Sequence, residues 1–135
     1  MQPQYERIAE LIFKKYGDKP DFPWREFPDY EVFRHRDNRK WFGLIMNIPP
    51  EKLYAKDSSE KLRLPASLLD KKEIHILDLK MPSSEIPALD QREGIFPAYH
   101  MNAGYWISVL LEDILPDSFI MALVEKSHNL TQNEK

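Results

Sequence analysis

The densest chemistry in this 135-residue sequence is the run Arg34-His35-Arg36-Asp37-Asn38-Arg39-Lys40-Trp41, with four fixed positive charges against one negative. Asp37 and Asn38 both tolerate the left-handed backbone of a tight hairpin turn. A two-residue turn there sets Arg36 opposite Arg39 and Arg34 opposite Trp41. Period two then places Arg34, Arg36, Arg39 and Trp41 on one face. Like charges directly opposite destabilise a hairpin, so this arrangement favours an anionic partner. Phosphates suit the guanidinium fork, Lys40 adds a fourth cation, and Trp41 can stack on a base or on Arg34. The same residues also describe a solvated edge hairpin that uses charge to avoid aggregation.

A second group, His100, Asn102 and Trp106, flanks another turn at Asn102-Ala103-Gly104. It reads either as a polar site beside the first hairpin or as structure. In the structural version Asn102 takes a left-handed turn position, Trp106 packs, and His100 is a strand histidine with a backbone partner.

Enzyme and cofactor signatures are missing. There are no cysteines, which removes disulfides, thiolate metal sites and a cysteine nucleophile. His35, His75, His100 and His128 have no metal-ligand spacing, and the four glycines form neither a dinucleotide fingerprint nor a phosphate-binding loop. No serine sits in a nucleophile elbow. Glu112-Asp113 is a carboxylate pair next to the last helix, best read as turn and capping groups. The expectation is a protein without catalytic residues, cofactor or metal.

Net charge is −3 with a sequence pI near 5.8, so no bulk basicity announces a nucleic-acid binder. The charge is uneven, however. Residues 1–80 carry 16 basic and 14 acidic side chains, and residues 81–135 carry 3 and 8. A basic face at the first hairpin is therefore compatible with overall acidity, but binding should be weak. No targeting segment and no apolar run long enough for a membrane span is present, so the expected location is the cytoplasm.

The elements that must position these residues follow from periodicity. Tyr5, Ile8, Leu11, Ile12 and Tyr16 recur at helical spacing over Gln4 to Tyr16, and Gly17 closes the helix. Residues 18–29 hold Pro20, Pro23 and Pro28 with Phe22, Trp24 and Phe27, an irregular aromatic arm. Two strands follow, Tyr30–Arg36 and Arg39–Ile48. In the second, Phe42, Leu44, Met46 and Ile48 share one face and Ile45 takes the other, so Trp41–Ile48 should be interior. Residues 51–73 are a charged excursion with a short helix or turn, and Ile74, Ile76, Leu77 and Leu79 mark a third strand. Ser83 or Ser84 can cap a short helix through Gln91, which Gly94 stops. The second hairpin is Phe96–Met101 and Tyr105–Leu111. A last helix runs from about Pro116 to His128, with Ile120, Leu123, Val124 and Ser127 inward, and residues 128–135 should fray. The layering expected for residues 1–135 is one α+β domain, a mostly antiparallel sheet with N- and C-terminal helices packed on it.

The stretch Phe96-Pro97-Ala98-Tyr99-His100-Met101-Asn102, with Tyr105-Trp106-Ile107-Ser108-Val109 and Leu115-Pro116-Asp117-Ser118, resembles the MmcQ/YjbR family. Val32-Phe33-Arg34-His35, Lys40-Trp41-Phe42 and Leu79-Lys80 before Pro82 support it in the same order along the chain. The resemblance implies a compact α+β fold of CyaY/frataxin-like type, a DNA-binding role described as a double wing, and no known catalytic residues. Where the family usually has a lysine after His-Met-Asn, this chain has Ala103-Gly104, which removes a cation from the second hairpin tip. The functional expectation is DNA contacted at phosphates by Arg34, Arg36, Arg39 and Lys40, with Trp41 beside them. The alternative is a protein-interaction module in which the aromatic arm and sheet surface hold a partner.

Overall fold

The computed structural model describes residues 2–17, 19–54 and 64–134. Its helices are α1 (Gln4–Tyr16), α2 (Glu51–Tyr54), α3 (Ala66–Leu69), α4 (Ile86–Leu89) and α5 (Asp117–Gln132). Its strands are β1 (Glu31–Arg34), β2 (Trp41–Ile48), β3 (Ile74–Lys80), β4 (Ile95–Pro97) and β5 (Trp106–Leu110). The strands form one sheet in the order β1-β2-β3-β5-β4, and every neighbouring pair is antiparallel. This is an α+β fold, and β2 is interior as its apolar run predicts. The middle of the charged excursion, residues 55–63, lies outside the described residues.

Helix α1 forms where the 3.6-residue period places it. Ile8 and Ile12 are fully buried, and Gly17 closes it at φ 77°, its N–H donating to the Phe13 carbonyl. A residue with a Cβ is strained in that left-handed conformation. Together α1 and α5 cover one face of the sheet, packing on Phe33, Phe42, Ile45, Leu77, Leu79, Ile107 and Val109. The opposite face carries Leu44, Met46, Ile48, Ile74, Ile76 and Leu110. No long helix covers it among the described residues. Tyr30 just before β1, Leu53 and Leu68 of the short helices α2 and α3, Leu64 and Phe96 seal it, with Trp24, Trp41 and Tyr99 half-buried at its margin.

The structure corrects three expectations. Phe42 does not share a face with Leu44, Met46 and Ile48. Phe33 pairs with Gly43 while Arg34 pairs with Trp41, so Phe42 is the extra residue of a β-bulge. The bulge turns Phe42 toward the helices and sends Trp41 to the opposite face. The strands of the second hairpin are also shorter than expected. Residues 98–105 form its loop, where His100 takes φ 79°.

The third correction concerns the end of the chain expected to fray from 128 to 135. α5 continues to Gln132, and Thr131 is buried. The Asn38 amide donates to the carbonyls of Thr131, Gln132 and Glu134 at 2.9, 3.0 and 3.1 Å, satisfying acceptors that a helix end leaves open. Lys80 Nζ meets Glu134 Oε2 at 2.6 Å.

One polar group lies deep in the second face. Asp78, on β3 between Leu44 and Ser108, is fully buried. Its Oδ1 accepts the Ser108 hydroxyl at 2.6 Å, and its Oδ2 has no hydrogen-bond partner among the described residues.

Candidate functional site

The basic run does not form a two-residue hairpin turn. Arg34 faces Trp41 as predicted, but the strands then part, and the His35 N–H donates to the Lys40 carbonyl at 2.9 Å across a wider turn. Inside that turn Asp37 Oδ1 accepts the Asn38 N–H at 2.7 Å, and Asn38 Oδ1 accepts the Lys40 N–H at 2.9 Å. Arg39 is left at φ 63°, a left-handed conformation costly for a residue with a long side chain. Arg36 and Arg39 therefore both belong to the turn and are not a ladder pair. The Asn38 side chain serves both sides, its Oδ1 closing the turn on Lys40 and its Nδ2 bonding the end of α5.

The turn instead closes one side of a cavity of about 580 Å³, lined by Phe13, Gly17, Lys19, Asp21, Arg34, His35, Arg36 and Arg39. Its far wall is brought in by the arm. Asp21 and Val32 exchange backbone N–H···O bonds, both 2.8 Å, which lays the arm against the outer edge of β1. The Asp21 carboxylate then pairs with Arg34 Nε at 2.5 Å. Arg36 Nη2 donates to the Gly17 carbonyl at 2.9 Å, at the end of α1 where the helix dipole is negative. Lys19 and Arg39 form no ion pair with any described residue. Among the described lining residues the site has four cations, Lys19, Arg34, Arg36 and Arg39, and one acid, Asp21.

Beneath the turn, His35 is buried, and its Nε2 lies 2.8 Å from Thr131 Oγ1. The Thr131 hydroxyl donates to the Ser127 carbonyl at 2.8 Å, so Nε2 of His35 carries the proton and donates. Ser127 in turn donates to the Phe42 carbonyl at 2.7 Å and accepts the Lys80 N–H at 3.0 Å. A chain of satisfied polar groups thus ties the cavity floor to α5, β2 and β3.

The other predicted site residues divide. Lys40 stands at the exit of the turn and is not among the lining residues. Trp41, carried to the other face by the bulge, packs edge-on against Trp24 with ring centroids 5.6 Å apart. His100 packs on the same Trp24, also at 5.6 Å. Trp41 and His100 are therefore brought together, but in an aromatic cluster apart from the cavity. Asn102 does turn work: its Oδ1 accepts the Gly104 N–H at 2.8 Å, and its carbonyl accepts from Tyr105 and Trp106. Trp106 is buried in β5 opposite Lys80.

Sequence reasoning missed Phe13, Lys19 and Asp21. The Gly17 helix stop is the only local signal near them, and nothing in it places them beside residues 34–39. The Glu112-Asp113 pair is structural, as expected. Glu112 Oε2 accepts the His75 N–H and Oε1 accepts Lys71 Nζ, both at 2.9 Å. Burial alone would raise its carboxyl, but these bonds hold it down to about 2.

A family model described as YjbR matches residues 13–130. The Bacillus subtilis (strain 168) protein named Uncharacterized protein YyaQ is 41% identical over 127 residues, covering 94% of this chain and 97% of its own. A crystal structure of a Pseudomonas syringae protein superposes with a TM-score of 0.81 at 41% identity, covering 93% of this chain and 97% of the other. The crystal structure of Deinococcus radiodurans protein DR2400 matches at a TM-score of 0.66 and 17% identity, over 98% of this chain and 80% of that one, a likeness of fold alone. No helix among the described residues is long and apolar enough to cross a membrane.

Proposed function

The chain belongs to the YjbR family, and from that premise we propose that it is a non-enzymatic protein that binds DNA weakly, through phosphates, at the basic turn. One observation carries this reading: Lys19, Arg34, Arg36 and Arg39 line a single cavity against one acid, in a chain whose net charge is −3. Concentrating positive charge at one place on an acidic protein costs stability through self-repulsion, and an anion relieves it. Arg36 has partners of its own, so Lys19, Arg34 and Arg39 are the three cations that phosphates would meet.

Counterion release then sets the test. Fluorescence anisotropy of a labelled duplex over a series of salt concentrations should give a slope of log affinity against log salt of roughly −3, from about −0.9 per phosphate. Arg39→Gly should lower the magnitude of that slope by about one, equally on unrelated sequences, because phosphates carry no sequence information. Affinity indifferent to salt sinks the reading. A second reading, a protein-interaction module, draws on the arm, where Phe22 and Phe27 are 55% and 49% exposed. It takes over if no DNA binds at low salt.

A further inference from the structure

We propose that the cavity beside β1 receives a nucleoside 5′-phosphomonoester, its phosphate among Lys19, Arg34 and Arg39 and its base against Phe13. This takes from the preceding reading only that the anion is a nucleotide phosphate. The shape is the first reason. A volume of about 580 Å³ falls in the small-ligand range, and its cations come from three segments, Lys19 from the arm, Arg34 from β1 and Arg39 from the turn. A backbone phosphodiester carries one charge and is flanked by sugars on both sides, so it engages these cations less fully than a chain end does. A terminal phosphomonoester carries about −1.5 to −2 and presents three oxygens on one side.

Charge state and composition are the second reason. Arg34 commits Nε to Asp21, an ion pair that occupies one edge of its guanidinium. Lys19 and Arg39 have no ion pair with a described residue. Lys19, Arg39 and the Arg34 guanidinium together match the charge and the donor needs of a phosphomonoester. Among the described lining residues, Phe13 is the one large apolar side chain. Phe13 is 43% exposed on α1, a large ring left half in water on the rim of a basic cavity. Aromatic rings beside phosphate-binding cations are the general device for holding a base by stacking, without preference for its identity.

The test uses the whole chain and a short single strand labelled at its 3′ end, carrying either a 5′-phosphate or a 5′-hydroxyl. Competitors are deoxyadenosine 5′-monophosphate and inorganic phosphate. The phosphorylated strand should bind about tenfold tighter, the size of one good charge-assisted hydrogen bond. The mononucleotide should compete better than inorganic phosphate. Phe13→Ala should abolish that advantage while leaving inorganic phosphate binding intact. Arg39→Gly should weaken every probe with the circular dichroism spectrum unchanged, since glycine accepts φ 63° without strain. A mononucleotide that binds as tightly as the phosphorylated strand makes the free nucleotide the ligand, and a tighter strand makes it the strand end. Equal affinity for both strands, with no competition by the mononucleotide, overturns the cavity assignment and leaves backbone binding standing. Mononucleotide binding with no duplex affinity supports the cavity and overturns the backbone reading. Silence from every probe overturns both.

Discussion

Replacing Asp78 by asparagine should make the protein progressively more stable than wild type as pH rises. Burial pushes the Asp78 carboxyl well above the usual carboxylate range, against the opposing bond from Ser108. The unfolded chain releases this proton near pH 4, while the folded protein holds it to a higher pH. Over that interval the unfolded state binds fewer protons than the native one. Stability from this group is thus complete below the unfolded value and is lost as pH rises toward the folded one. Each pH unit over which the native carboxyl stays protonated while the unfolded one is ionised removes about 1.4 kcal/mol. The substituted amide carries no such proton, keeps an oxygen for Ser108 and fits the same space. Near pH 4 the variant should be level with wild type or slightly weaker, because its amide brings two buried donors where the acid brought one. Urea unfolding followed by circular dichroism at pH 4.5, 5.5, 6.5 and 7.5 gives the difference curve, from which Glu112 and all other shared groups cancel. A difference that stays flat across that range means that Asp78 is ionised in the fold, and the reasoning from its unpartnered oxygen is wrong.

Two further substitutions probe the frame of the site. Leu123→Ala removes a side chain that is 6% exposed between α5 and the sheet, and should cost about 2–5 kcal/mol in the same unfolding assay; a change under about half a kcal/mol means that α5 is peripheral. Thr131→Val keeps the shape but strands the buried Nε2–H of His35, and should cost about 1–3 kcal/mol. A neutral result there shows that His35 finds another acceptor.

Much of the fold was legible because it is local. The Gln4–Tyr16 helix follows from apolar spacing and a glycine stop, and the stripe Ile120, Leu123, Val124, Ser127 is buried as its period requires. What stayed hidden is non-local. The bulge at Phe42 depends on which residue Arg34 faces across the sheet, and a strand's own alternation does not carry that information. The end of α5 was misplaced because Asn129, Thr131 and Gln132 offer no apolar period, and the residues that hold them, His35 and Asn38, are far back in the chain. The cationic run was visible as composition. Its geometry was not, since Asn38 looks like a turn residue and also serves as a helix clamp, and Lys19 reaches the cavity only through the Asp21–Val32 bridge.

The clamp also has a consequence in the order of synthesis. Asn38 emerges first, and the carbonyls it holds follow 93 to 96 residues later. At about 5–20 residues per second, the ribosome leaves the basic turn without its anchor for roughly 5–20 seconds. During that time Arg34, Arg36 and Arg39 are present as charges on a segment not yet clamped to α5, next to the most concentrated polyphosphate a nascent chain meets, the ribosomal RNA. Arg34 and Arg36 can already find Asp21 and Gly17 in the part of the chain made before α5, but the turn that carries Arg39 gains its Asn38 clamp only when α5 arrives.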